Sequence, residues 1–335
     1  MSTPKSIAVA VLNKLGAAVL VVWLTATVVF LALRASGDPL EAILGGPGSQ
    51  ASPEAVAQAR ADYGLDQPFF MQYLSQLWRV ATLQFGDSYA RKQPVADLLA
   101  ANVPPTLVLA TLAFVLAWVL ALAATLAAST ARGRLGRAIR SALTGIETVS
   151  SVMPQFFLGA VLILVFASQL QWLPATGGAS GGARALILPV ITLAVPIAGY
   201  LAHVLHGPLT EADTAPFATT ARSRGASESR VLLRHTLRHA ALPAISLSGW
   251  AYGSLLSGAV VVEVLFARQG LGRLLLEATT VRDMPVVIGS ITIVALLYVV
   301  VLIVTDIVER IVDPRGTARR ELASSGSDAS TEVVA

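Results

Sequence analysis

The 335-residue sequence contains no cysteine, which removes disulfides, thiolate metal sites and thiol catalysis from consideration. Charge is scarce: Asp, Glu, Lys and Arg make up 13% of residues against 55% hydrophobic, far from the balance of a soluble globular domain. The three lysines are Lys5, Lys14 and Lys92, and none follows a glycine. The phosphate-cradling pattern G-x-x-x-x-G-K-[ST] is therefore missing, and the chain does not hydrolyse ATP by that route. No repeat at a fixed period is visible, nor an inverted pair of interrupted helices of the kind found in many secondary carriers.

What is present is apolar length. Mean hydropathy is +0.69, and six runs, over residues 12–33, 106–128, 143–167, 185–204, 242–266 and 286–308, are long enough to cross about 30 Å of hydrocarbon at about 1.5 Å per residue. The fold class expected is an all-α integral membrane protein with six transmembrane helices. The apolar core of the first run exceeds that of a signal peptide and no small-residue cleavage site follows, so it is read as a retained helix. With the N-terminus inside, the inner segments hold 15 of the 24 Lys and Arg, so both termini are placed in the cytoplasm. The net charge of +4 is then topological and gives no argument for nucleic-acid binding.

Four regions follow: 1–34 with the first span; 35–105, an extracytoplasmic segment with short helices; 106–310, a five-helix core with a cytoplasmic loop at 207–241; and 311–335, a polar tail expected to be disordered. In the second region Gly37-Asp38-Pro39 and Gly45-Gly46-Pro47 punctuate turns. Ser52-Pro53-Glu54 there opens a helix with a cap, a first-position proline and a first-turn acid. Residues 69–83 carry Phe70, Tyr73, Leu74, Leu77 and Trp78 at spacings of three and four. That stripe either packs on the outer ends of the spans or lies in the interface, and packing is the preferred reading. The Gly/Ala-rich loop 173–184 is expected to be flexible.

The loop 207–241 is the most informative stretch. Arg222, Arg224, Arg230, Arg234 and Arg238 would together cost about 13–18 kcal/mol at the centre of a membrane helix, so this stretch lies in water. Helix formers, then Gly225, then Ser227 and Glu228 as cap and first-turn acid, then a second helix ending before Pro243, describe a basic helical hairpin suited to docking on another protein.

Other polar groups are weaker signals. His235 and His239 sit i, i+4, but no third ligand accompanies them, so a solvated helix face is the reading. His203 and His206 act as polar anchors at the inner end of the fourth span. Glu147 and Glu263 are expected to be wet at span ends, and Asp306 and Glu309 to be solvated beside Arg310, so no proton relay is assigned. Pro154, Pro189, Pro196, Gly249, Gly253 and Gly258 are hinges or packing features, with packing the default. No metal or cofactor is expected.

Thr220–Ser227, TARSRGAS, followed by Val231–Pro243, VLLRHTLRHAALP, resembles the cytoplasmic coupling loop of permease subunits of ATP-binding-cassette importers, in the dipeptide, oligopeptide and nickel branch. The likeness extends to Arg34-Ala35-Ser36-Gly37-Asp38-Pro39, Tyr63-Gly64-Leu65-Asp66-Gln67-Pro68, Gln72-Tyr73, Gly86-Asp87 and Trp172-Leu173-Pro174. It continues through Gly270-Leu271-Gly272-Arg273, Arg282-Asp283-Met284-Pro285-Val286 and Asp313-Pro314-Arg315.

The resemblance implies the binding-protein-dependent permease fold in a bacterial inner membrane. It also implies pairing with a second homologous permease, two cytoplasmic ATPase subunits, an extracytoplasmic solute-binding protein and membrane lipid, with ATP hydrolysis in the partners. It places Thr220, Ala221, Arg222 and Gly225 on the core of the coupling loop, Glu211 on an acidic position before it, and Ala226, Ser227, Val231, Leu232 and Arg234 on its continuation. Val231, Leu232 and Leu237 would seat in the ATPase, with Arg230, Arg234 and Arg238 as rim. The sequence departs from the family pattern at His203, His206, Pro216 and Leu302, and Pro216 implies a helix starting there. Read from the residues alone, an ion-coupled carrier, an intramembrane enzyme or a non-transporting membrane scaffold stays open beside the importer.

Overall fold

The computed structural model describes residues 4–35, 40–44, 52–62, 64–130, 133–176 and 182–312. The expected turns at 37–39 and 45–47, the middle of the loop 173–184 and the tail from residue 313 lie outside them. Fourteen helices are described: α1 Pro4–Ala35, α2 Leu40–Ile43, α3 Pro53–Asp62, α4 Phe69–Thr82, α5 Val95–Thr130, α6 Gly133–Val152 and α7 Gln155–Leu162. They continue with α8 Arg184–Thr214, α9 Pro216–Ser223, α10 Glu228–Val231, α11 Leu237–Ala240, α12 Leu242–Leu265, α13 Leu271–Thr280 and α14 Met284–Val312. Wider π-helical turns at Ile163–Gln169 and Leu232–Thr236 extend α7 and join α10 to α11.

The centre is α8, which touches α5, α6, α7, α11 and α12. Its partner α5 presents Ala110, Ala113, Ala117 and Ala121, all fully buried, against Leu193, Ala194, Ile197 and Leu201. Small side chains at this spacing let two helices approach closely, which is how contact is gained where lipid offers no hydrophobic drive. The opposite side of α5 carries Val108, Leu112, Val115 and Val119, all exposed, a face suited to lipid.

By length and composition α5, α8, α12 and α14 can cross a membrane, and the bent pair Gly136–Val152 with Gln155–Gln169 counts as a fifth span if taken together. The apolar part of α1, Val19–Ala32, is shorter. Six spans are compatible with this count without being established by it. The continuous third span expected over 143–167 is not what the chain forms, because the two halves meet at 108°. Pro154 explains the break: it disfavours helix at Met153 and supplies no amide hydrogen to the preceding turn. The glycines of α12 are packing features, since a Cβ at Gly253 would lie 2.4 Å from Tyr298 of α14 and one at Gly258 2.2 Å from Gln155 of α7.

Two buried carboxylates tie the end of the molecule farthest from the basic hairpin. Glu263 of α12 accepts hydrogen bonds from Thr106 Oγ1 (2.5 Å) of α5 and from the Gly272 and Arg273 amides (2.8 and 3.2 Å) of α13, while Thr106 Oγ1 accepts from Leu271 N–H (2.8 Å). Asp283 accepts from Ser88 Oγ (2.5 Å) and from the Tyr89 and Ala90 amides (both 3.1 Å), pinning the chain between α4 and α5 to the start of α14. The expectation that Glu263 is wet fails, since it is 1% exposed. Its hydrogen bonds take the place of water. Glu147 is likewise buried, at 4% exposed, with Oε1 making no hydrogen bond among the described residues.

Close packing around Glu263 also explains the two glycines of Gly270-Leu271-Gly272-Arg273. A Cβ at Gly270 would lie 2.1 Å from the Glu263 carboxyl carbon, and one at Gly272 would lie 2.4 Å from the Val260 Cα. Because backbone cannot yield as a flexible side chain can, Gly272→Ala is expected to destabilise the protein by about 1–3 kcal/mol. Gly145→Ala, where an added Cβ meets nothing within 4 Å, is the control. Thermal unfolding in detergent followed by circular dichroism checks this, and equal melting temperatures for the two variants would contradict it.

Candidate functional site

The expected hairpin forms. Pro216 occupies the first turn of α9, where its missing N–H costs nothing. Gly225 ends α9 at φ +81°, with Gly225 N–H donating to Arg222 O (2.9 Å) and Ala226 N–H to Ala221 O (3.1 Å). This paired closure is the Schellman motif, which needs a left-handed residue at that point. An added Cβ there would meet nothing within 4 Å, so the demand for glycine is torsional rather than steric. The second helical arm of the hairpin begins at Glu228 and runs through the π-helical turns and α11 into α12.

Arg222 holds the hairpin to the body. Its guanidinium bonds the Asp213 carboxylate, donates through Nη1 to the Asp213 carbonyl (2.8 Å) and through Nε to Glu228 Oε2 (3.2 Å). One planar fork thus joins the end of α8, the end of α9 and the start of α10, a geometry open to arginine and not to lysine. Hydrogen bonding to Asp213 first, and to Glu228, raises the Arg222 pKa further, so the clamp stays charged at any physiological pH. At the other end of the hairpin Phe217 packs on His239, ring centroids 4.8 Å apart.

The structure brings most of the expected residues together and turns them in different directions. Thr220, Gly225, Ser227 and Arg234 are exposed, Ala221, Ala226 and Leu232 are half-buried, and Thr220 Oγ1 donates back to Pro216 O (2.8 Å). Glu211 is exposed in the last turns of α8, which runs unbroken through residues 207–214. Val231 is the exception. It is fully buried, so it packs inside the chain and offers nothing to a partner's groove. The apolar residues that do face out are Leu233, 57% exposed, and Phe217, 39% exposed.

Asp213 was not anticipated, although an acid nine positions before Arg222 was a legible hint. A groove of about 730 Å³ opens beside the hairpin, lined by Leu126 and Thr130 of α5, His206 and Thr210 of α8, and Leu232 and Leu233. Among the described residues no group of three or more His, Cys, Asp or Glu is arranged to hold a metal.

Comparison with known proteins agrees with this architecture. Residues 115–317 match the family described as binding-protein-dependent transport system inner membrane component, and residues 8–110 match its N-terminal companion. A Brucella abortus (strain 2308) protein named for a peptide transport system permease is 34% identical over 314 residues, covering 91% of this chain and 98% of its own. The glutathione transport system permease protein GsiC of Salmonella typhimurium is 32% identical over 296 residues, covering 87% and 93%. Among solved structures, the methionine ABC transporter MetNI in inward facing conformations aligns with a TM-score of 0.52 at 17% identity, over 64% of this chain and 96% of that one. That likeness is one of fold.

Removing the Arg222 fork takes away its bonds to Asp213 and Glu228. Arg222→Ala is expected to loosen it by about 1 kcal/mol, the scale of a partly exposed ion pair, raising amide hydrogen exchange across residues 216–231 about fivefold. Arg222→Lys should recover only part of the protection. Exchange indifferent to both substitutions would mean that the clamp holds nothing.

Proposed function

The chain belongs to the family of inner-membrane components of binding-protein-dependent transport systems, and from that premise we propose that its basic hairpin, Pro216–Ala240, receives the motion of cytoplasmic ATPase subunits. As a permease subunit of an ATP-driven importer, the chain is a multi-pass inner-membrane protein that catalyses no reaction itself. The family works with a second permease, with ATPases that hydrolyse ATP, and with a solute-binding protein.

Our reading places the hairpin and both termini in the cytoplasm, supported by the arginines concentrated there. Thr220, Arg224, Arg230, Leu233 and Arg234 are the exposed surface available to the ATPase. Ala221, Arg222, Gly225, Ala226, Ser227 and Val231 set the hairpin's shape, Glu211 precedes it, and Leu232 lines the groove beside it. The single observation that carries this is the Arg222 fork, which makes the hairpin and the end of α8 one body. ATP-driven closure of the ATPases then moves α8 and α12 together and opens the pathway shared with the second permease. Peptides or a related small solute are the proposed cargo, supported by relatives named for peptide and glutathione transport. A nickel chelate belongs to the same branch.

Gly225→Val places a β-branched residue at a torsion costing about 1–3 kcal/mol. It is expected to abolish ATP-driven uptake while leaving membrane insertion intact, whereas Gly225→Asn, which tolerates the left-handed region, retains most uptake. Mild-detergent purification of the tagged wild-type chain should bring ATPase and second-permease subunits with it, and the valine variant should lose the ATPase. Normal uptake by Gly225→Val would sink the assignment.

A further inference from the structure

Helix α4 has three faces where an amphipathic helix packed on a protein needs two. At about 100° per residue, Phe69, Tyr73, Leu77 and Val80 share one arc and Gln72, Ser75, Arg79 and Thr82 another, with Phe70, Met71, Leu74 and Trp78 between them. The first arc faces α1, although Phe69 at its start stays half exposed. Phe30 packs on Phe69 and Tyr73 with ring centroids 5.5 and 5.7 Å apart, Tyr73 Oη shares a 2.8 Å hydrogen bond with Thr27 Oγ1, and Val80 is buried in the same cluster. The middle arc touches none of this: Phe70 is 65% and Trp78 70% exposed, and Met71 and Leu74 are exposed with them. Four large apolar side chains on one uncovered strip exceed what a water-facing helix carries by chance.

The surface beside that strip identifies what covers it. On α1, the helix that α4 lies against, Trp23, Leu24, Val28 and Leu31 are exposed and apolar on either side of the Thr27 and Phe30 contacts, and α1 is the first hydrophobic run of a multi-pass membrane protein. The middle arc of α4 continues this lipid-facing surface, while the third arc is polar, with Ser75 exposed to water and Gln72 donating to the Leu65 and Gln67 carbonyls (3.2 and 2.8 Å). Trp78 is a side chain of the kind that settles at the depth of lipid headgroups. We infer that α4 lies in the membrane surface at the end of the molecule away from the hairpin, with Phe70, Met71, Leu74 and Trp78 immersed in lipid and Ser75 in water. The helix then braces the outer end of α1 against tilting.

This rests on membrane placement of α1 and not on the role of the hairpin, so either reading can fail without the other. The chain has no cysteine, so an introduced thiol is the only one it carries. Spin labels placed singly by Phe70→Cys, Leu74→Cys, Trp78→Cys and Ser75→Cys would be examined in the assembled transporter in phosphatidylethanolamine and phosphatidylglycerol bilayers. Complexes holding the cysteine-free chain supply the background. Collision with oxygen, which concentrates in hydrocarbon, is compared with collision with a water-soluble nickel chelate.

Labels at 70, 74 and 78 are expected to favour oxygen over nickel several-fold relative to the label at 75. Nickel accessibility at 70, 74 and 78 equal to that at 75 would overturn the inference by placing the strip in water. Protection from both reagents would overturn it by showing that a protein partner covers the strip. Resistance of each variant to alkaline extraction from membranes reports insertion separately.

Discussion

The fold depends on the close approach of α5 to α8. In hydrocarbon, leucine gains little by leaving lipid for protein, so helices associate where their surfaces fit. The alanine row Ala110, Ala113, Ala117 and Ala121 supplies that fit, and it leaves α8 buried along most of its length. The other helices are then placed by contact with α8: α6 and α7 on one side, α12 on another and α11 at its end. A bulky side chain in the alanine row would push α5 away and loosen every one of these contacts at once. The same seam explains why α8, with 31 residues and roughly 46 Å of length, can project well beyond the hydrocarbon as a single rod. Its buried residues run from Ala185 to Ala212 and anchor it along that length.

Charge enters this interior only on strict terms. Glu263 and Asp283 are each surrounded by hydrogen-bond donors, most of them backbone amides at the start of a helix or in a tight loop. Such amides lack partners within their own helix or turn, so each carboxylate satisfies groups that would otherwise need water. The two sites resemble one another in what they join: a distant segment of chain to the end of a long helix. Glu147 is the contrast. It is as deeply buried, and among the described residues one of its oxygens has no partner.

The sequence was legible at most of the positions that a local rule governs. Pro216 starting α9, Gly225 closing it and Ser52 capping α3, with Ala55 N–H donating to Ser52 Oγ (3.2 Å), follow from backbone chemistry within four residues. Hydrophobic length located α5, α8, α12 and α14 because the membrane imposes it. Legibility ended where a neighbour distant in sequence decides. Glu263 looks like a wet span-end acid until Thr106, 157 residues away, and the amides of α13 are folded onto it. Val231 looks like an outward anchor in a basic helix until the structure turns it inward. The bend at Pro154 had a local cause and was available in principle, but continuous hydropathy across residues 143–167 hid it.

These features together give the hairpin its mechanical character. A lever must be stiff where it is pushed and joined at both ends to what it moves. The hairpin leaves α8 through Ala215 and enters α12 through Ala241, one residue at each junction. Between them, Arg222 closes the tip against Asp213 and Glu228, and Phe217 closes the base against His239. A displacement applied to the exposed arginines therefore cannot be absorbed by unwinding α9 without breaking the fork, and passes into α8 and α12. Those two helices also touch one another, and α12 carries Glu263 to the far end of the molecule, where it holds α13. In the proposed reading, a push at one membrane face reaches the other through one helix and one buried carboxylate.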